Sequence, residues 1–244
     1  MSHIHIDIQG LSFAYTKNKP VLENINLHAG EHEAIGIVGA NGAGKSTLLR
    51  LLVGLATDFG GSIRVEEIPV EKRTLPLIRE KIGYVFQDSD NQLFMSTAYE
   101  DIAFAPRNYG LPEAEVERRV QSALEQVGIP HLRNKQIFTM SGGEKKLVSI
   151  AGILSLTPDI ILMDEPSIAL DPRNRRNLIN LLNSFEHLKL IASHDLDLIW
   201  DTCSRTIILD KGTIVWDGPT EIALRNEKLL QEHGLELPLS LQRR

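Results

Sequence analysis

Eight consecutive residues, Gly39-Ala40-Asn41-Gly42-Ala43-Gly44-Lys45-Ser46, fit the pattern G-x-x-x-x-G-K-[ST], and Thr47 follows. Gly42 and Gly44 let the chain fold tightly with no Cβ in the way, so that successive backbone N–H groups can converge on phosphate oxygens. The apolar run Ala34-Ile35-Gly36-Ile37-Val38 before the loop reads as a strand. The periodic segment Ser46 to Val53 after it reads as a helix, whose N-terminal dipole favours an anion. In that setting Lys45 is expected to reach the β- and γ-phosphates of a nucleotide and Ser46 to ligate Mg²⁺. A second apolar run, Ile160-Ile161-Leu162-Met163, ends in Asp164-Glu165. Asp164 should emerge at the C-terminal edge of a strand, where open α/β sheets bind ligands, and there hold Mg²⁺. Glu165, one residue on, is the candidate for polarising the attacking water.

Those groups need a scaffold that brings several strand ends to one edge. Short apolar runs at Ser62 to Val65, Ile82 to Phe86, Leu188 to Ala192 and Ile207 to Leu209 alternate with helical patterns, which predicts an α/β core with a largely parallel sheet. Ahead of it, His3 to Ile8, Leu11 to Tyr15 and Val21 to Leu27 read as antiparallel strands, with a turn at Lys17 to Pro20. His3, His5 and Asp7 share one face of the first of these. They form either a solvated edge or, less simply, a metal-chelating row. Glu113 to Val127 is an amphipathic helix carrying Val116, Val120, Ala123, Leu124 and Val127 on one face, stopped by Gly128 and Pro130. Further helices are predicted from Ser141 to about Leu154 and from Arg173 to Phe185. Lys211-Gly212 reads as a hairpin turn, and the chain after about Ala223 shows no clear period.

Composition sets the outer limits. The 244 residues hold 42% hydrophobic and 24% charged residues, ordinary globular values. A single cysteine, Cys203, excludes an internal disulfide framework and a multi-cysteine zinc site. No apolar run approaches the roughly 18 residues that span a bilayer, and Met1 to Asp7 shows no apolar core of a signal peptide. The net charge of −6, from 26 basic and 32 acidic residues, argues against a broad nucleic-acid-binding surface.

One further segment narrows the field of nucleotide hydrolases and kinases. Met140-Ser141-Gly142-Gly143-Glu144 resembles the LSGGQ signature of ATP-binding-cassette (ABC) ATPases, and Ser141 lies 23 residues before Asp164, the order that family shows. A serine and two glycines opening a helix make a second phosphate-binding surface. The resemblance covers about residues 4 to 218 and implies the P-loop ATPase fold with an inserted helical subdomain. The predominantly helical stretch between the two strand-bearing parts already divides the chain into core segments at 1–87 and 156–222, a helical subdomain at 88–155 and a tail at 223–244. The resemblance also implies roles for single residues: Tyr15 stacking on adenine, with Phe13 as its rival, and Gln87 contacting Mg²⁺ and water. Asp171 falls in the D-loop Ser167-Ile168-Ala169-Leu170-Asp171, which crosses to a partner subunit, and His194 bonds the γ-phosphate. Ser141 to Glu144 would act in trans, on ATP held by a second cassette, either a copy of this chain or a related one. Two positions depart from the pattern. Ile168 stands where a small or polar residue is usual. Glu144 replaces glutamine, and its carboxylate either weakens ATP affinity or is harmless if it points to solvent.

The stretch Tyr84 to Phe94, with Thr97 to Phe104 and Ser193 to Leu198, is similar to the ATPase subunits of energy-coupling-factor importers. Ser141 to Lys146 is most like those for cobalt and nickel, with biotin and other vitamin importers close behind. The resemblance implies a peripheral protein on the cytoplasmic face of the membrane, partnered by a transmembrane coupling protein and a substrate-binding membrane subunit. Leu93, Phe94 and Met95 form an apolar cluster in a polar loop, which either docks on the membrane partner or folds into the subdomain. A soluble cassette acting on nucleic acid or ribosomes would more often show a second cassette or a long coiled-coil insertion, and a plain P-loop kinase leaves the signature unexplained.

Overall fold

A computed structural model describes residues 4–17 and 19–242 of the chain. Two sheets carry the architecture. The first is antiparallel, built from β1 (Ile4–Phe13), β2 (Leu22–Gly30), β4 (Gly60–Val65) and β5 (Ile68–Pro69) in the order β2-β1-β4-β5. The N-terminal strands expected separately are one strand, β1, with a register shift at Gly10, whose φ is +57°. The shift explains why Ile6 and Ile8 are buried before it, whereas Leu11 and Phe13 are buried after it. His5 on this strand hydrogen-bonds Glu66, and His28 Nδ1 lies 2.6 Å from Asp7 Oδ1, so these side chains are engaged with carboxylates of the same sheet region. His3 lies outside the described residues, and among the described residues no cluster of three metal-ligating side chains occurs.

The second sheet comprises β3 (Ala34–Val38), β6 (Ile82–Val85), β7 (Ile160–Asp164), β8 (Leu188–Ala192), β9 (Arg205–Asp210) and β10 (Thr213–Pro219). Its order is β10-β9-β3-β8-β7-β6, parallel throughout except for the β9–β10 hairpin. Strands β3, β6, β7 and β8 are buried along their whole length, which is why each reads as a continuous apolar run rather than an alternation. Alternate residues nonetheless face two different cores. Ile160 and Leu162 join the cluster under the antiparallel sheet, α1 (Lys45–Leu52) and α2 (Leu75–Lys81), and Ile161 and Met163 join the cluster shared with the helices.

That second cluster is built largely by α3 (Ala98–Asn108), α4 (Glu113–Val127) and α5 (Gly142–Leu154). Helix α4 has the bounds and the buried face read from its periodicity. Helix α3 starts at a capping box in which Thr97 and Glu100 satisfy each other's backbone N–H groups. Helix α6 (Pro172–Ser184) and the short α7 (Leu196–Thr202) cover the rest of that face. The region after Ala223, without a clear period in the sequence, is ordered as α8 (Thr220–Arg225) and α9 (Glu227–Glu232), followed by a segment whose Leu239 and Ser240 N–H groups donate to Asp197 on α7. Helices of six residues carry too little periodicity to be read from sequence. No helix among the described residues is long and apolar enough to cross a membrane.

Candidate functional site

The parallel register brings four strand ends to one edge. Ile37 pairs with Ala192, Ala192 with Asp164, and Met163 with Val85. The residues that follow those positions are therefore neighbours: Gly39 to Ser46 after β3, Ser193 and His194 after β8, Asp164 and Glu165 at the end of β7, and Gln87 after β6. This is the crevice outside the carboxyl ends of the strands where open α/β sheets bind ligands.

The loop from Gly39 to Thr47 wraps the start of α1. Gly44 caps that helix at φ +109°, and a Cβ there would meet Leu22 Cδ2 at 2.7 Å and Val21 O at 3.0 Å, so neither backbone nor space admits another residue. Lys45 is buried, and its Nζ donates to Gly39 O at 2.7 Å and Ala40 O at 3.2 Å. Burial lowers its pKa, opposed by the charges of Glu165 and Asp164. The loop, Val21, Gln87 and Glu165 line an open cleft of about 380 Å³, in which Asn41 and Gly42 are exposed and Ala43 is buried. Tyr15 is 58% exposed beside this loop, with its Oη 3.3 Å from Thr47 Oγ1, and meets Phe13 edge-on at 4.9 Å. Phe13 is buried in the core, which leaves Tyr15 as the aromatic face open to a ligand.

Ser46 Oγ donates to Asp164 Oδ1 at 2.8 Å, and Tyr84 Oη donates to Asp164 Oδ2 at 3.3 Å. Asp164 is fully buried, and burial raises its pKa against the pull of Ser46, Arg50 and Tyr84. A buried carboxylate and a hydroxyl, both hard oxygen donors beside a phosphate loop, fit Mg²⁺, and Gln87, exposed in the same cleft, can complete the set. Tyr84 was legible in the sequence only as part of a strand, since nothing marks its hydroxyl as facing Asp164.

Glu165 adopts a left-handed backbone, φ +49°, unusual for a residue with a Cβ, and its N–H donates to Ala192 O at 2.8 Å. Its carboxylate is almost fully buried. It accepts Ser193 Oγ at 3.1 Å and the His194 N–H at 3.1 and 3.2 Å, and it lies 2.7 Å from His194 Nδ1. Ser193 Oγ in turn accepts the N–H of Asp195, whose carboxylate takes both Nε and Nη2 of Arg175 at 2.8 Å. Burial pushes Asp195 up, but Arg175 and the Leu198 N–H outweigh it and hold the carboxyl below its ordinary range. Arg175 sits on α6, just after Asp171, whose side chain caps that helix by accepting the Asn174 N–H at 2.8 Å.

Ser141 to Glu144 stand apart from this group: the cleft over the phosphate loop contains none of them. Ser141 caps α5, with the Glu144 N–H donating to its Oγ at 3.3 Å. Gly143 lies against the D-loop, and a Cβ there would come within 2.7 Å of Ala169 O. Glu144 is turned back on its own helix. Its carboxylate accepts the Ser141 N–H at 2.8 Å and pairs with Lys135 Nζ at 2.7 and 2.8 Å, and these contacts, Lys135 first, lower its pKa. Its charge is thus neutralised within the chain, an arrangement that neither of the two sequence-based alternatives anticipated.

A protein-family model described as ABC transporter matches residues 22–168. A Geobacter sulfurreducens protein, whose name carries an inferred role as an ABC transporter ATP-binding protein, is 48% identical over 99% of this chain and 97% of its own length. The energy-coupling factor transporter ATP-binding protein EcfA of Methanothermobacter thermautotrophicus is 40% identical over 96% of this chain and 76% of its own. Among solved structures, cbiO1 of Clostridium perfringens, part of the ABC transporter complex cbiONQ, superposes with a TM-score of 0.82 at 32% identity over 94% of each chain. The phosphate loop, the two strand-end carboxylates and the match over more than half the chain agree: this protein belongs to the ABC transporter family and is the ATP-binding, ATP-hydrolysing motor of a transporter.

Proposed function

We propose that this chain drives a membrane importer of the energy-coupling-factor type, with cobalt or nickel ions as the solute and biotin or another vitamin as the alternative. The observation that carries the importer reading is an aromatic pair on the helical subdomain, which we assign to residues 88–155. Phe94 is 64% exposed and meets Phe104 edge-on at 4.8 Å. Asp101 Oδ2 accepts the N–H groups of Phe94 and Met95, both at 2.9 Å, and so fixes this loop outward. A rigid exposed aromatic pair a few residues from Gln87 suits a transmembrane coupling protein, through which a substrate-binding membrane subunit would be served at the cytoplasmic face. The likeness to EcfA and to cbiO1 supports the same reading.

The separation of Ser141 from the phosphate loop supports head-to-tail pairing of two cassettes, copies or relatives. Each ATP would then lie between the N-terminus of α1 in one subunit and that of α5 in the other, contacting Ser141, Gly142 and Gly143 in trans. Within one subunit, Tyr15 would stack on adenine. The N–H groups of Gly39 to Thr47 and Lys45 Nζ would hold the phosphates. Ser46, Asp164 and Gln87 would hold Mg²⁺, which when bound supplies positive charge against the phosphate oxygens. Glu165 would orient and polarise the attacking water, and His194 would contact the γ-phosphate. Asp171 would set the D-loop against the partner.

The test is to isolate the tagged chain from its native membrane and identify what accompanies it, then to measure ATP-dependent uptake of cobalt, nickel and biotin by the complex. A multi-spanning protein in the complex and uptake of a metal ion are expected. Recovery with ribosomes or nucleic acid, and no membrane protein, would overturn the importer reading.

A further inference from the structure

Lys146 is one of the least exposed large side chains in the protein, 2% exposed, although it carries a charge. It projects from the second turn of α5 toward the segment that follows β6, where its Nζ donates to Phe86 O at 2.8 Å and Gln87 O at 2.7 Å. Two more side chains close the same seam. Gln92 accepts the Phe86 N–H at 3.2 Å through Oε1 and donates to Ser149 O on α5 at 2.8 Å. Lys145 Nζ reaches Asp90 Oδ1 at 2.6 Å. The backbone on both sides of Phe86 is thus tied to the first turns of the helix that begins at Ser141. Of these ties, only the one made by Lys146 grips Gln87 itself.

A buried ammonium satisfied by two carbonyls is expensive to keep without a use. Burial lowers its pKa, and the carboxylates of Asp164, Asp88 and Glu165 oppose that fall. The side chain also has a directional consequence. Because α5 is a rigid rod from Ser141 through Lys146, any displacement of its N-terminus is passed through Nζ to the Gln87 carbonyl, and so to the Gln87 side chain in the cleft.

We propose that Lys146 is a positioning residue for ATP hydrolysis, fixing Gln87 in one subunit's site to the helix N-terminus that serves the opposite site. The inference rests on the reading of Gln87 as a contact to Mg²⁺ and water. It identifies a physical link between the two halves of the ATP sandwich that runs through one side chain and two carbonyl oxygens. Met in place of Lys146 fills the same volume but leaves both carbonyls without a donor, so Gln87 is released while the core stays packed.

A double-mutant cycle in the complex isolated from the membrane tests this, with ATP turnover measured against ATP and against Mg²⁺ for Lys146→Met, Gln87→Ala and the pair. Lys146→Met is expected to lower kcat about tenfold, to leave the KM for ATP within about threefold, and to raise the Mg²⁺ concentration for half-maximal rate. In the Gln87→Ala background the same change should cost less than about twofold, because its effect has already been removed. Lys146→Gln, which keeps an amide donor, should recover part of the rate and provides the cycle if the Met variant folds poorly. Lys145→Ala, which removes only the exposed pair with Asp90, should leave kcat within about twofold. An equal loss of rate from Lys146→Met in both backgrounds would overturn the inference while leaving the Gln87 reading intact. A silent Gln87→Ala would overturn that reading and the inference with it.

Discussion

His194 Nδ1 and Glu165 Oε2 are 2.7 Å apart, and the His194 backbone N–H donates to the same carboxylate. The ring is 60% exposed and the carboxylate 8%, so one partner is free to swing and the other is not. The parallel register that sets Asp164 beside Ala192 creates this relationship, since Glu165 and His194 follow those two residues on adjacent strands. The group proposed to polarise water is thus engaged by the group proposed to bond the γ-phosphate. A bound γ-phosphate that draws the ring away would free a lone pair on Glu165 and would make hydrolysis conditional on the triphosphate being in place.

Lys45→Ala should remove the thermal stabilisation that ATP gives. Lys45 Nζ is held by two carbonyls of its own loop, so its hydrogen bonds tie no other element into the fold. Wild-type protein at 100 times its Kd for ATP gains about 2.7 kcal/mol, and for a chain of this size that raises Tm by roughly 5–10 °C. Thermal unfolding with and without ATP and Mg²⁺ checks this. The variant should unfold near the ligand-free wild-type temperature and show no shift, with turnover lost. A variant that keeps the shift and the turnover refutes the role of the loop.

Phe94→Asp and Leu93→Asp should fail in different ways. The sequence groups Leu93, Phe94 and Met95 as one apolar patch, but Leu93 is buried in the helical core, whereas Phe94 is 64% exposed. Asp at 93 places a carboxylate in that core at a cost on the order of several kcal/mol, and urea unfolding should show it. Asp at 94 should leave the unfolding midpoint within experimental scatter and preserve basal ATPase activity, while abolishing recovery of the membrane partner. If the Phe94→Asp complex assembles and transports normally, the aromatic pair is not the docking surface.

The contrast between those two neighbours shows where the sequence stops being informative. Buried parallel strands, the glycine loop and the 15-residue α4 announce themselves, because each follows one period or one steric demand over many residues. The strand-end carboxylates follow from the strands. What cannot be read is how side chains far apart in the chain meet. Lys135 neutralising Glu144, Tyr84 bonding Asp164, Arg175 clamping Asp195 and Lys146 gripping the Gln87 carbonyl are all set by tertiary packing. For Lys146 the trace is its spacing, four residues before Ile150 and eight before Leu154, both on the buried face of α5.

Stability should fall between pH 9 and about 11 in a way that depends on Cys203. The thiol is buried, which pushes its pKa from 9.0 up to about 11, against weaker pulls from Thr202 and Lys189. With the folded pKa above the unfolded one, the native state binds more protons in this window. The contribution is complete below pH 9 and lost as pH rises through about 11. Lys45, Lys146 and Lys189, with lowered pKa values, favour the native state as pH rises toward 10.5, so the total slope mixes both signs. The measurement is therefore the difference between wild type and Cys203→Ala in urea midpoints at pH 8 and pH 10.5. Wild type should lose about 2 kcal/mol more than the variant across that interval. Equal slopes would show that the thiol is not desolvated in the folded state.

Glu165→Gln should trap an ATP-bound dimer. Gln is nearly isosteric, and its carbonyl can still accept the His194 N–H that fixes the side chain, so the left-handed backbone and the strand-end geometry persist. What it loses is the negative charge and the ability to take a proton from water, steps worth about 10²–10⁴ in rate. Binding should be spared, because the phosphate loop, Lys45 and the Ser46–Asp164 pair are untouched. In the proposed sandwich ATP would sit between the N-termini of α1 and α5 from two subunits. These dipoles, with Mg²⁺, offset the triphosphate charge, so the nucleotide holds the dimer together for as long as it is not hydrolysed. Asp164→Asn should behave differently, raising the Mg²⁺ requirement and forming no stable dimer at Mg²⁺ concentrations sufficient for Glu165→Gln. Size-exclusion chromatography of both variants with ATP and Mg²⁺, alone and with each candidate partner cassette, separates the outcomes. Wild-type turnover in Glu165→Gln would remove Glu165 from the water-positioning role. Persistent monomers with every partner would refute the head-to-tail sandwich, and with it the reason Ser141 stands outside its own subunit's cleft.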